Sequence, residues 1–319
     1  MSSIKYEILS KCPGFQKGAL GPSKNTIEQY KTHAIKYGKW AKKEYGCRTF
    51  DELKDHIQDY ADYLHREGMR PATIHTYIAA CCYVWGVPME QINKPGRHCY
   101  DAVRSRGEKP VDKRIDSGRE ASPRLYDFTT RVGIRRHEYL ALRCDNFVTD
   151  ESGYPCVEVK KGKGGKYQLQ RIMPEDVEFV KAYFSDGAKD QFVFTKEEMT
   201  NKIDLHAIRA DVAKRAYQYY LAKLQTDPDY RVQLTKEIEK RWTLYRGTPP
   251  LNLKKKYDWI WSEERVHGEY KIRGKNRIKA EKNGLPAVYD RLAVMAVSVF
   301  HLSHWRCDVT VDNYLLAIS

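Results

Sequence analysis

Residues 154–173, YPCVEVKKGKGGKYQLQRIM, are where this chain changes its period. Val157 and Val159 alternate with their neighbours, the run Lys161-Gly162-Lys163-Gly164-Gly165-Lys166 turns the chain, and Tyr167 and Leu169 alternate again. Period-two alternation around a glycine-rich turn predicts a β-hairpin with lysines at its tip. Elsewhere most apolar residues recur at three and four, the period of helices packed by one face. The fold class expected is mainly α with a small β-sheet, an α+β protein.

Upstream, Ile27, Tyr30, Ala34, Tyr37 and Trp40 form one stripe of a helix over 23–46, with Gly46 as its stop. Thr49 and Glu52 read as a capping box for a helix over 51–66 that buries Leu53, Ile57, Tyr60 and Leu64. Pro71 opens a third helix with Ile74, Ile78, Cys81 and Trp85 inside and Gly86 beyond. These define a helical domain over 23–105, preceded by a loosely ordered arm, 1–22. Residues 93–121 are rich in Gly, Pro and charge and read as the end of the bundle running into a linker.

A second domain spans 106–319. Ser122-Pro123 opens a helix ending near Gly133, and another crosses 136–143. Pro174 leads into a helix with Val177, Val180 and Phe184 aligned, and Phe192-Val193-Phe194 reads as a short strand. A helix from 204 has Leu205, Ile208, Val212 and Ala216 on its core face, and 291–302 is an apolar helix. Between them, 225–285 is polar and basic, with tryptophans among the charges. It reads as an inserted, mainly helical element outside the core.

Lys plus Arg is 56 against 42 for Asp plus Glu, a formal net charge of +14. Such basicity points to a polyanionic partner, with DNA the first expectation. Lys24, Lys31, Lys36, Lys39, Lys42, Lys43 and Arg70 lie between the apolar stripes of the first domain and are candidate phosphate contacts, as is Lys166 at the hairpin tip. No apolar run reaches the roughly 18 residues of a membrane span. The cysteines show no CxxC pair, so free thiols in a reducing, intracellular compartment are expected, with no metal and no cofactor.

The chemistry-bearing residues of the second domain fall in a fixed order. Arg135 has Glu138 one helical turn on, and His206 and Arg209 are likewise spaced on one face. Two guanidinium groups can clamp a phosphate bidentately. Lys163 sits on a flexible glycine-rich tip from which an ammonium can protonate a leaving oxygen. GKGGK is not the G-x-x-x-x-G-K-[ST] nucleotide loop, and it lies in a hairpin rather than before a helix. His304 or Trp305 can hydrogen-bond a phosphate oxygen. The chain has 23 tyrosines, so the residue type alone says little; Tyr314 stands out by closing this series as a possible nucleophile.

Residues 133–142 (GIRRHEYLAL), 161–167 (KGKGGKY), 206–209 (HAIR) and 302–315 (LSHWRCDVTVDNYL) resemble the boxes of the tyrosine recombinases, the phage and mobile-element integrases. The segment from SKNTIEQYKTHAIKYGKWAKKEYG to REGMRPATIHTYIAA resembles that family's helical core-binding domain. The resemblance covers 23–92, 122–223 and 290–316, and its strength lies in the order of the boxes. It implies a core-binding domain followed by a tyrosine-recombinase catalytic domain. It implies that Arg135 and Arg209 bind the scissile phosphate, that Glu138 and His206 fill the matching box positions, and that Lys163 gives a proton to the 5′-oxygen. It further implies that Tyr314 forms a 3′-phosphotyrosyl bond and that either His304 or Trp305 fills the third-box role. Site-specific recombination by a homo-tetramer on two double-stranded DNA sites, through a Holliday junction, follows from the same resemblance; the free protein can be a monomer. A type IB topoisomerase or telomere resolvase would share the chemistry, and a non-enzymatic basic DNA-binding regulator would share only the charge. Ser303 departs from the family by standing where a glycine is usual, and the stretch between the second and third boxes is unusually long.

Overall fold

The computed structural model describes residues 4–14, 21–97, 118–185, 187–200, 202–244 and 268–316. It divides into two units, 1–102 and 103–319. The structure is mainly helical with small antiparallel sheets.

In the first unit, helix α1 spans Ile4–Lys11, α2 Lys24–Tyr45, α3 Ile57–Arg66 and α4 Pro71–Trp85. The ends of α2 are local chemistry. The Ser23 hydroxyl accepts the N–H of Thr26, and Gly46 closes the helix at φ 72°, where a Cβ is strained. Pro71 occupies the first turn of α4, and Gly86 ends it in the same left-handed conformation. Ile27, Ala34, Tyr37, Ile74, Ile78 and Cys81 are buried between the helices. Each large apolar side chain so buried contributes about 1.5–3 kcal/mol. The Trp85 indole N–H donates to the Phe50 carbonyl at 2.8 Å.

The arm differs from expectation. Residues 4–11 form α1, and Ile8 is fully buried in the bundle. The cause is Gly38 on α2: a Cβ there would lie 2.8 Å from Ile8 Cδ1 and 3.0 Å from Ile4 Cγ2. A bare backbone makes the groove that α1 fills.

In the second unit, α5 (Pro123–Thr129) and α6 (Arg136–Tyr139) are shorter than their sequence patterns predict. Strands β1 (Phe147–Thr149), β2 (Pro155–Val159) and β3 (Gln168–Arg171) form one antiparallel sheet in that order. Its register sets Val157 opposite Gln170 and Val159 opposite Gln168. Thus Gln168 and Gln170 face the interior of β3, not the more apolar Tyr167 and Leu169. Residues 192–194 are not a strand; Phe192 makes only an isolated bridge to Arg143. Helices α7 (Val177–Ser185), α8 (Leu205–Thr226) and α9 (Tyr230–Thr243) follow. Strands β4 (Glu269–Lys271) and β5 (Val288–Asp290) pair and flank α10 (Gly274–Lys282). Then come α11 (Arg291–Phe300), α12 (Cys307–Thr310) and a π-helical turn, Val311–Leu315.

Helix α9 corrects the expectation that 225–285 stands outside the core. Tyr230, Leu234 and Ile238 belong to the apolar core that also contains α11. Arg241 reaches Asp150 at 2.6 Å and the Leu169 carbonyl at 3.0 Å, while Arg171 bonds Asp150 and Glu237, each at 2.7 Å. All four charged residues are buried. Buried charges persist only when paired. Here the pairing partners lie far apart in sequence, so composition alone reads α9 as a solvated polar segment. Residues 98–117 of the linker stretch, the Lys254–Lys256 run, Trp259 and Trp261 lie outside the described residues.

Candidate active site

Arg135 and Glu138 are held by the turn before α6. A Cβ on Gly133 would lie 3.2 Å from the Cα and Cγ of Arg209, so glycine lets this turn seat against α8. Glu138, in the first turn of α6, reaches back to accept the Arg135 N–H at 2.7 Å and the Arg135 guanidinium at 2.8 Å. Its carboxylate is fully buried and also accepts the backbone N–H of Lys163 at 3.3 Å and the Gln168 amide at 3.2 Å. Arg209 Nη1 lies 3.9 Å from its other oxygen. Burial alone would raise the Glu138 pKa, but Arg135 and Arg209 with the N–H donors outweigh it and hold the carboxyl below its ordinary range. One carboxylate therefore orients both arginines and the base of the hairpin.

Arg209 is the more deeply buried arginine, at 1% exposure. It projects from the second turn of α8, whose first turn is capped by Asp204 accepting the N–H groups of His206 and Ala207. Its Nη2 donates to the Leu302 carbonyl at 2.8 Å, while Nε and Nη1 are buried without a hydrogen-bond partner. Burial first, and then the charge of Arg135, push its pKa down. Buried donors with no acceptor are costly, and an anion such as a phosphate would satisfy them.

Tyr314 lies on the π-helical turn beside this guanidinium, its ring centroid 5.8 Å from Arg209 Cζ. Its hydroxyl is 2.9 Å from His304 Nε2. Burial, followed by the charges of Arg209, Arg135, Lys163 and Lys166, holds the His304 pKa down to about 3. The imidazole is thus neutral at neutral pH, and its Nε2 can accept a hydrogen bond from the phenol; an anion bound between the arginines would offset their charge and raise its basicity. The His206 ring meets Tyr314 edge-on, with centroids 5.4 Å apart.

Two histidines, His301 buried and His304 half-buried, set a pH dependence. His301 is likewise held to about 3, by burial and then by Arg171, Arg215 and Arg241. Above the ordinary value of 6.5, both histidines are neutral whether folded or unfolded. Below it the unfolded chain takes up protons that the folded chain refuses, so stability falls as pH drops from 6.5 toward 3. Each group contributes a slope of up to about 1.4 kcal/mol per pH unit in that window. We expect the urea midpoint to decline between about pH 7 and about pH 5, and to decline less steeply in His301→Gln. An equal slope in the variant would exclude His301 as a source.

The structure gathers Arg135, Glu138, His206, Arg209, His304 and Tyr314 into one site. Lys163 joins it by its backbone, with its side chain exposed on the tip. Gly162 makes that approach possible, since a Cβ there would overlap the Gln168 amide and lie 3.0 Å from Glu138 Oε1. Trp305 is buried with its ring packed on Trp242 of α9, at 4.9 Å between centroids, while its neighbour His304 takes the contact with Tyr314. Lys24, Lys36, Lys39, Lys42, Lys43, Arg70 and Lys166 are exposed. Lys31 is half-buried and paired with Glu28 at 2.9 Å. Sequence reading missed Gln168 and Gln170. Their signal was two amides at alternate positions just after the glycine-rich turn.

No family profile and no curated protein matches this chain. Among solved structures it is similar to one titled "Crystal structure of XerA recombinase", at 16% identity over 61% of this chain and 78% of that chain, with a TM-score of 0.23. A likeness at that level carries no inference, and the reading of the site rests on its own geometry.

Proposed function

We propose that this protein cleaves and rejoins DNA strands by transesterification at Tyr314, as a tyrosine recombinase. The observation that carries the reading is the 2.9 Å hydrogen bond between the Tyr314 hydroxyl and a neutral imidazole, set beside a buried guanidinium with unpartnered donors. In the step proposed, His304 Nε2 takes the phenolic proton and the Tyr314 oxygen attacks phosphorus. The bond to the 5′-oxygen breaks, and the Lys163 ammonium delivers a proton to it. Arg135 and Arg209 hold the non-bridging oxygens as negative charge builds on them. Attack by a 5′-hydroxyl reverses the step and restores Tyr314. One phosphodiester replaces another, so exchange between two sites, through a Holliday junction and a homo-tetramer, needs no nucleotide.

The deciding experiment incubates the protein with a pool of nicked duplexes carrying 5′-bridging phosphorothiolates. The thiol released is a poor nucleophile for resealing, so a 3′-phosphotyrosyl adduct accumulates, and sequencing the trapped DNA gives the site. No adduct would leave only the non-enzymatic regulator. With the site known, strand exchange between two copies identifies a recombinase, whereas action confined to single sites identifies a topoisomerase or resolvase.

The exposed lysines make a second expectation. Affinity for duplex DNA should fall on the order of 10³ between 50 and 200 mM salt, because several phosphate contacts release counterions. Fluorescence anisotropy measures this. Binding insensitive to salt would contradict a phosphate-dominated interface.

A further inference from the structure

Glutamines 168 and 170 occupy the interior face of β3, where apolar residues would fill the space without needing partners. Both are buried, at 4% and 2% exposure. A buried amide is kept only where hydrogen bonds satisfy it, and here the bonds form a thread. The Gln168 amide donates to Glu138 Oε1 at 3.2 Å. The Gln170 amide donates to Gln168 Oε1 at 3.1 Å and to the Ser303 hydroxyl at 2.8 Å. The thread runs from the carboxylate that orients both arginines to the residue preceding His304.

The far end of the thread is strained. Ser303 has φ 52° and Trp305 φ 58°, left-handed values on both sides of His304. Side chains rarely adopt that conformation, and it persists only where the surroundings over-determine it. The ties are visible. Arg209 donates to the Leu302 carbonyl, the His304 N–H donates to the Ser298 carbonyl at 2.9 Å, and Trp242 packs on Trp305. Gln170 is the tie that comes from the hairpin, and its own Oε1 is left buried without a partner.

Resting on the transesterification reading above, we propose that Gln170, through Gln168 and Ser303, is a positioning residue that sets His304 in register with Glu138 and the hairpin of Lys163. The thread closes only when α6, the hairpin and the 302–306 loop are in place together. It therefore aligns the proton acceptor, the phosphate clamp and the hairpin that carries the proton donor.

The test uses Gln170→Leu, which keeps much of the volume and suits an apolar face, and Ser303→Gly, which adopts φ 52° without strain. Single-turnover adduct formation is followed on the nicked phosphorothiolate duplex, with DNA affinity and the thermal midpoint measured alongside. Gln170→Leu is expected to slow adduct formation about ten- to a hundred-fold, the scale of a small misplacement of reacting groups. Affinity should not fall, and the thermal midpoint should fall only by the few degrees that losing buried hydrogen bonds costs, leaving the protein folded at the assay temperature. Adding Gln170→Leu to Ser303→Gly should slow the reaction less than Gln170→Leu does alone, because a glycine loop needs the tie less. A second readout is independent of turnover. In histidine-labelled protein, the His304 resonances of Gln170→Leu should shift at neutral pH and move in chemical shift when acid is added, unlike those of the wild type. Adduct formation at the wild-type rate with unmoved His304 resonances would overturn the proposal, as would a slowing matched by lost affinity or by unfolding at the assay temperature. If wild-type protein forms no adduct, the transesterification reading itself fails, whereas a reactive wild type with an equally reactive Gln170→Leu fails the positioning role alone.

Discussion

Tyr314→Phe is expected to abolish covalent capture of DNA while leaving DNA affinity and folding intact. The ring of Tyr314 is buried in the core of the second unit, and Phe preserves its contacts there. Only the hydroxyl is lost, with its hydrogen bond to His304 Nε2. Leaving that imidazole nitrogen without its partner costs about 1–3 kcal/mol, too little to unfold a domain of ordinary stability. The exposed cations of the first unit and the Arg135–Glu138–Arg209 arrangement are untouched. The proposed nucleophile is gone, so the expected loss of adduct on a denaturing gel is complete. An adduct that persists in the Phe variant would assign the nucleophile elsewhere. Peptide mapping of the wild-type adduct gives the same answer from the other side, since the DNA must remain attached to the segment containing Tyr314.

Lys163→Ala is expected to show the second largest effect, and one that depends on the leaving group. The Lys163 backbone N–H is anchored to Glu138 and Gly162 packs closely against Gln168, yet the ammonium is on the exposed tip. An anchored base with a free arm suits a proton donor that swings to the 5′-oxygen. General-acid assistance of this kind is worth about 10²–10⁴ in rate. Cleavage of an ordinary phosphodiester should fall by that order in the variant. A 5′-bridging phosphorothiolate should be cleaved at nearly the wild-type rate, because a thiolate leaves without being protonated. Equal slowing on both substrates would reduce Lys163 to a phosphate contact. The same pair of substrates applied to Lys166→Ala tells whether the other exposed lysine of the tip shares the role.

Much of this architecture is local chemistry and was legible in the residues. Gly46, Pro71 and Gly86 mark helix ends because a left-handed glycine and a ring-fixed φ act within a turn or two of themselves. The stripes of α2 and α4 and the turn at 161–166 follow from period for the same reason. The order Arg135, Lys163, His206, Arg209, His304 and Tyr314 is the part of the proposed chemistry that can be read along the chain. What lies between distant segments was not legible. A period of two says that one face of β3 is buried without saying which, and hydropathy favours Tyr167 and Leu169, the face that is only half-buried. Gln168 and Gln170 are inside because Glu138 and Ser303, remote in the chain, supply their partners. Helix α9 reads as polar because Glu237 and Arg241 are charged, and it is buried because Arg171 and Asp150 meet them. Ile8 enters the core only because Gly38 has no side chain. His304 rather than Trp305 faces Tyr314 because Trp242 draws the indole away. The helical frame and the hairpin are written along the chain, since they depend on near neighbours, and so is the order of the candidate site residues. Tertiary structure alone decided which polar residues are buried and which of two adjacent side chains meets the tyrosine, because both depend on the free energy of pairing groups that only folding brings together.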